Sequence, residues 1–324
     1  MVPKKVLVLG LGSIGMRHAR NFAGLGCEVS GFDPTSERRQ RFTDELGDNT
    51  FDDQSAAFDQ GPDLVVVASP NIYHLSQATA AANRGFNLFV EKPLGTDLGD
   101  AQTFAKLARQ KNIYVHMGSN WKFHPAFKTM KSIVSQGEIG RICGINVIAG
   151  QWLPDWHPWE DYRQMYAARK DLGGGAIFDT HELDYMTWLL GPVASFSGQK
   201  AHTGSLEIET EDVAGSVMTF ENGAIGTLLT DYIQRVGQRS YMIIGDEGTL
   251  FWNIRTGKIH LSLPDQDLPK VINVQHDNIN DMYIAQSAFI LEDICHNRTP
   301  ITGLDHMINI LELQSAWHNQ ALNA

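Results

Sequence analysis

The sequence predicts an α/β fold: a doubly wound parallel sheet at the N-terminus, then a C-terminal α+β domain with a large, mainly antiparallel open sheet. Three observations carry that expectation. The first 118 or so residues alternate short apolar runs with helical patterns, the rhythm of βαβ units. The first apolar run, "VLVLGLGSIG", breaks into three spaced glycines ahead of a helical stretch. Beyond Met117 the alternation stops, and after the helix that follows Gly173–Gly175 strand succeeds strand.

The elements read in order as follows. Val6–Leu9 is continuously apolar, as suits a parallel strand buried on both faces, and "SIGMRHARNFAGLG" reads as a helix ending near Gly24 or Gly26. Further strands read at Val29–Phe32, Leu64–Ala68, Leu88–Val90 and Ile113–Met117, with helical segments such as "LSQATAAANRG" and "DAQTFAKLARQKN" between them. Residues 1–118 are therefore expected to form one domain and 119–324 a second. In the second, "HPAFKTMKSIVSQG" is a helix, a loop rich in Trp and Pro follows, and another helix comes after Gly173–Gly175. "VAGSVMTFENGAIGTLLTDY" is two strands around Asn222-Gly223, and "YMIIGDEGTLFW" is a hairpin around Asp246–Gly248. The tail returns to helix in "MYIAQSAFILEDICHN" and "GLDHMINILELQSAWHNQAL", split by Thr299-Pro300; these helices are expected to pack back on the first domain. Internal repeats and low-complexity tracts are absent.

Composition narrows the function. A chain of 324 residues, 43% hydrophobic and 19% charged, suits a soluble protein with a large core. The formal charge of -11 argues against nucleic acid or an anionic membrane as partner and favours a small molecule. Cys27, Cys143 and Cys295 are few and scattered, which suits a reducing cytoplasm and fits neither a disulfide framework nor a clustered zinc site. "MVPKKVLVLG" does not read as a signal peptide, and no apolar run reaches transmembrane length. The sequon Asn297–Thr299 then carries no weight.

The glycine loop has its own chemistry. Gly10 permits the turn, Gly12 lets backbone approach a pyrophosphate, and Gly15 lets the helix pack close, with helix N–H groups at Ser13 and Ile14 facing the anion. Asp33 ends the next apolar segment 18 positions beyond Gly15, near the roughly 20 expected of a ribose-binding carboxylate. This is the dinucleotide fingerprint of a Rossmann domain, and Asp33 favours NAD by repelling a 2'-phosphate. In "DPTSERR", Arg38 and Arg39 with Thr35 and Ser36 offer a 2'-phosphate partners, which keeps NADP open.

Lys92 in Glu91-Lys92-Pro93 lies just past a strand's C-terminal end, where open parallel sheets place ligands, and Pro93 biases it to an extended conformation and allows a cis bond. Beside a nicotinamide its pKa should fall toward the working range, so that it can shuttle a hydroxyl proton; a surface lysine paired with Glu91 is the plainer alternative. His181 and Asp184 share a helix face, extended by Tyr185 and Trp188, opposite a core face of Leu183, Met186 and Leu190. His181 can hydrogen-bond a substrate hydroxyl, with Asp184 orienting it or binding a neighbouring hydroxyl. "HEL" is no zinc-protease site, because position 185 is Tyr rather than His. The segment Gln151–Arg163 holds three of the seven tryptophans: Trp152 offers an indole face to sugar C–H surfaces, and Asp155, His157 and Arg163 can address hydroxyls or a carboxylate. A packed loop or a subunit contact serves equally well. Lys122 in "NWKFHP" is a candidate for an anionic substrate group, with a backbone-supporting or surface role beside it.

With "GLGSIG", "SPNIYH", "EKP" and "GGGAIFDTHELDYMTWLLG" together, the chain resembles the Gfo/Idh/MocA oxidoreductases over nearly its whole length. The resemblance implies a nucleotide-binding domain and an open-sheet domain enclosing a nicotinamide and usually a sugar or polyol. It implies catalysis by Lys92, a cofactor lined by Ser69, Pro70, Asn71, His74 and Glu91, and a homo-dimer or homo-tetramer. Many members carry D-x-x-x-H where this chain has Ile177 four positions before His181; Asp179, the nearest upstream acid, is a substrate-binding candidate not equated with the family aspartate. The expected activity is NAD(P)-dependent hydride transfer to or from a secondary alcohol or ketone of a sugar, polyol or derivative. A non-catalytic regulatory protein of the same fold and a redox-assisted glycosidase remain the alternatives.

Overall fold

The computed structural model describes residues 5–95, 97–275, 278–296 and 303–319. The chain divides into two units, Met1–Asn120 with Ile279–Glu312 and Trp121–Asn278 with Leu313–Ala324. The first contains β1 (Lys5–Leu9), α1 (Ser13–Gly24), β2 (Glu28–Phe32), α2 (Ser36–Leu46), β3 (Thr50–Phe51), α3 (Gln54–Phe58), β4 (Leu64–Val67), α4 (His74–Asn83), β5 (Asn87–Val90), α5 (Leu98–Gln110) and β6 (Val115–Met117). All six strands pair in parallel in the order β3-β2-β1-β4-β5-β6. The order reverses between β1 and β4, the switch point at which such sheets take ligands beyond their strand C-termini.

Burial explains why the central strands read as unbroken apolar runs. Val6 to Leu9 and Leu64 to Val67 are all 0–1% exposed, because helices cover both faces. Each such side chain contributes about 1.5–3 kcal/mol on burial, so these two strands anchor the unit. β3 escapes the sequence reading because it has only two residues, paired to Gly31 and Phe32. α2 escapes it too, since Phe42 is its one buried side chain and leaves no apolar stripe.

The second unit contains α6 (Pro125–Ser135), β7 (Ile142–Gly150), α7 (Ala176–Asp179), α8 (Glu182–Leu190), β8 (Val193–Ala201), β9 (Val213–Phe220), β10 (Ile225–Asp231), β11 (Gln238–Gly245), β12 (Thr249–Asn253), β13 (Lys258–Ser262) and β14 (Lys270–Asn273). Its sheet runs β14-β13-β12-β11-β7-β10-β9-β8, antiparallel throughout except for the parallel pair β7 and β10. Both expected hairpins form, around Asn222-Gly223 and Asp246–Gly248. The inner face buries Tyr241, Ile243, Leu250, Trp252, Ile259 and Leu261. Phe127 of α6 packs edge-on to Tyr185, Tyr241 and Trp252 at 4.9, 5.1 and 5.5 Å.

β7 corrects the sequence reading, which leaves residues 142–150 without a strand. It is a central strand of the sheet, with Ile145, Val147 and Ala149 turned inward and buried. Gly144, Asn146 and Gly150 interrupt its apolar pattern, and its partners lie far along the chain, so no local hairpin signal marks it.

The chain closes with α9 (Asn280–His296) and α10 (Leu304–Asn319). Ile290 and Leu291 of α9 join Met16, Ala19 and Phe22 of α1 and Val6, Val8, Leu64 and Val66 of the sheet in one core. Thr299 and Pro300, expected to split these helices, and the sequon at Asn297 lie outside the described residues.

Candidate active site

The first unit builds a cradle at the end of β1. Gly10 has φ +88, and a Cβ there would stand 2.7 Å from the backbone N and Cα of Ser69. A Cβ on Gly15 would overlap the Gly10 carbonyl, whereas one on Gly12 would meet nothing within 4 Å. The chain is thus tight where strand and helix meet and open at Gly12, the N-cap of α1, where the free helix N–H groups of Ser13 and Ile14 begin. Asp33, 1% exposed, accepts the N–H of Leu11 on Oδ2 (2.8 Å) and of Thr35 on Oδ1 (2.9 Å). A carboxylate has about four acceptor positions, so beyond these two N–H groups and the long contact from Arg38 it keeps capacity for a ribose hydroxyl. Arg39 donates to the Asp33 carbonyl (2.7 Å) and pairs with Asp52 (3.7 Å), while the exposed Arg38 lies 3.5 Å from Asp33 Oδ2. An open glycine, helix N–H donors and a buried acid at the end of β2 fit a dinucleotide.

At the ends of β4 and β5 two buried histidines tie the chain together. The His74 ring bridges two carbonyls, with Nδ1 2.7 Å from Pro93 O and Nε2 2.7 Å from Ser69 O. It thereby joins the Ser69-Pro70-Asn71 turn to the Lys92-Pro93 peptide, which is cis. Burial pushes the His74 pKa down, against the pull of the two carbonyls. Glu91 turns to His18 of α1, whose Nε2 donates to Glu91 Oε1 at 2.7 Å, and Glu91 Oε2 accepts the N–H of Lys92 at 3.2 Å. Burial works to raise the Glu91 pKa, but the His18 hydrogen bond and the charges of His18 and His74 hold it below the usual carboxylate range. His18 is absent from the sequence reading, although its place among the buried residues of α1 marks it as a polar group needing a partner.

The second unit carries the other candidates. His181 caps the N-terminus of α8, and its ring stacks on Tyr185 at 5.9 Å, with the Tyr185 hydroxyl 3.4 Å from Nδ1. Tyr185 is fully buried, so it belongs to the core rather than to an open face. Lys122 is no surface lysine: it is 2% exposed and donates to Asp184 Oδ1 at 2.6 Å. Burial lowers the Lys122 pKa, and Asp184 only partly restores it. Glu182, also absent from the sequence reading, is buried between Arg239 Nε (2.8 Å) and the Tyr241 hydroxyl, and Arg239 lies over the Trp121 ring at 4.2 Å. This buried carboxylate fixes the first turn of α8, which carries His181 and Asp184. Its partners sit on a strand far along the chain, and no local pattern announces them.

Around the triple glycine, Glu211 Oε1 accepts the N–H of Ile177 (3.1 Å) and so holds the start of α7, while Asp179 accepts the Tyr166 hydroxyl. In the loop, Trp152 and Trp156 pack on a cluster of Leu153, Met165, Ala167 and Tyr232, and Arg235 covers the Trp152 ring at 3.5 Å. Arg163 pairs with Glu207 (2.7 Å) and Asp161 (3.1 Å). Asp155 lies exposed, and His157 meets the edge of Trp159, which is 76% exposed. Lys92 belongs to the first unit; Lys122, Asp179, His181 and Asp184 belong to the second. Among the described residues, no group of three or more His, Cys, Asp or Glu is placed to hold a metal ion, and no helix is long and apolar enough to cross a membrane.

Two family profiles match the chain. An oxidoreductase family with an NAD-binding Rossmann fold spans residues 4–119, and the GFO/IDH/MocA C-terminal domain spans residues 127–251. The scyllo-inositol 2-dehydrogenase (NAD(+)) of Bacillus subtilis (strain 168) is 26% identical over 321 residues, 94% of this chain and 90% of that protein. An oxidoreductase from Agrobacterium radiobacter, solved with NAD+, L-tartaric acid and magnesium, superposes with a TM-score of 0.88 at 19% identity, covering 100% of this chain and 97% of that one. A levoglucosan dehydrogenase solved with NADH and levoglucosan also gives 0.88 at 19% identity, covering 98% and 96%.

Proposed function

From the premise that this chain belongs to the Gfo/Idh/MocA oxidoreductases and has an NAD-binding Rossmann domain, we propose that it is a dehydrogenase or reductase of a sugar, polyol or sugar derivative, acting at a secondary alcohol or ketone. The observation that carries the reading is the placing of Lys92: it follows β5, on the same edge of the sheet as the glycine cradle, between a glutamate held by His18 and a proline held by His74.

NAD, when bound, supplies the hydride acceptor or donor. Gly10, Gly12, Ser13, Ile14 and Gly15 hold its pyrophosphate, and Asp33 holds the adenosine ribose and disfavours the 2'-phosphate of NADP. Lys92 Nζ takes the hydroxyl proton as the alcohol is oxidised and returns it in the reverse direction. In the second unit, the His181 ring offers a hydrogen bond to a substrate hydroxyl. Within that unit Lys122 fixes the Asp184 carboxylate, and Asp155, His157 and Asp179 offer polar groups to substrate hydroxyls. The scyllo-inositol dehydrogenase of Bacillus subtilis supports the polyol class.

The protein works as a homo-oligomer in a reducing cytoplasm, with no disulfide among its described residues. One face of the large sheet exposes Val217, Ile225, Leu229, Met242, Ile244 and Val271, an apolar surface that a second copy covers. The test of activity is absorbance at the nicotinamide band across a panel of sugars and polyols with NAD and NADP. The reading expects NAD-dependent turnover of a polyol or sugar. Tight NAD binding with no turnover on any of them would favour a regulatory protein instead.

A further inference from the structure

Resting on the NAD reading, the inference concerns the buried charge behind Lys92. The strand order sets which residues would hold each end of the cofactor: Asp33, just past β2, would hold the adenosine side, the glycine turn after β1 the pyrophosphate, and residues just past β4 and β5 the nicotinamide side. Glu91 ends β5. Its side chain is 16% exposed, and His18, whose side chain has no exposure, donates to it. His18 Nδ1 is buried with no hydrogen-bond partner among the described residues. The Nε2–H therefore has its acceptor in the Glu91 carboxylate, which holds the two side chains together.

We propose that the Glu91 carboxylate, oriented by His18, supplies a fixed negative charge at the nicotinamide end of the cofactor site, so that the domain favours the oxidised over the reduced cofactor. Oxidised nicotinamide carries a positive charge that the reduced ring lacks, and a nearby carboxylate acts on that difference alone. The groups that face Glu91 are His18 from α1, His74 from α4 and Lys92 beside it; Tyr283 of α9, with Arg17 over its ring, packs against His18. His18 is a positioning residue here: it keeps Glu91 oriented and ionised where burial alone would protonate it.

The experiment measures Kd for NAD+ and for NADH by calorimetry on the full-length protein from pH 6 to pH 9. Glu91→Gln should raise the ratio of Kd for NAD+ to Kd for NADH by about tenfold. His18→Leu strips the donor, leaves a buried carboxylate that takes up a proton, and so should bring the ratio toward the Glu91→Gln value as pH falls. His18→Gln, which keeps an N–H near Glu91, should restore the wild-type ratio. A purely structural role would weaken both forms alike, so an unchanged ratio in Glu91→Gln, or a His18→Leu ratio that tracks wild type at every pH, overturns the proposal. Wild-type protein binding neither form would overturn the NAD reading itself and this inference with it.

Discussion

Replacing Lys122 by methionine probes the ion pair at the centre of the second unit. The substitution keeps most of the side-chain volume but removes an ammonium that is 2% exposed and 2.6 Å from Asp184. Breaking one partner of a buried pair costs about 3–5 kcal/mol, because the carboxylate left behind stays desolvated. At about 2–4 °C per kcal/mol for a domain of this size, the second unit should melt about 6–20 °C lower by calorimetry. The pair Lys122→Met and Asp184→Leu together should recover most of that loss, since apolar side chains of similar size replace buried ion pairs at little cost. The sign of the pH dependence follows as well. Burial lowers the folded-state pKa of Lys122 below its ordinary 10.5. Between those two values the unfolded chain holds more protons, so stability should rise with pH there in wild type and lose that rise in Lys122→Met. A Lys122→Met protein melting within about 2 °C of wild type, or a double variant no better than the worse single one, would refute the reasoning.

Asp33→Ala should narrow the preference for NAD over NADP in paired titrations, because the buried carboxylate that disfavours a 2'-phosphate is gone; an unchanged preference would shift the weight to Arg38. His116 is buried, and burial lowers its pKa from 6.5 to about 4. The unfolded chain therefore takes up a proton first as pH falls from 6.5 toward 4, and stability should drop by about 3 kcal/mol over that window. Urea unfolding of His116→Gln, which should lack that slope, checks it. Leu229→Arg on the apolar face of the large sheet should dissociate the oligomer by light scattering at micromolar concentration, and unchanged mass would place the contact elsewhere.

Much of the first unit was legible because its chemistry is local. Gly10, Gly12, Gly15 and Asp33 are read from their spacing within a strand, turn, helix and second strand, and β1 and β4 are buried on both faces and so appear as unbroken apolar runs. The second unit was legible only in part. β7 is broken by Gly144, Asn146 and Gly150, and it pairs with strands that come much later in the chain. Lys122 meets Asp184 across 62 residues, and Glu182 meets Tyr241 across 59. Such pairs are set by three-dimensional packing, so neither residue carries a mark in its own neighbourhood. Arg163 shows the opposite effect: its type suited substrate binding, but Asp161 two positions away and Glu207 hold its guanidinium. His18 lay in plain view in the helix after the glycine loop, and only the fold shows Glu91 against it.

The most direct test of the account is Lys92→Ala, with NAD affinity and turnover measured on the best substrate from the panel. If Lys92 carries the proton, Kd for NAD should stay near the wild-type value while kcat falls by about a hundredfold or more, the scale of a general acid–base contribution. A Lys92→Ala enzyme that turns over at near-wild-type rate would contradict it.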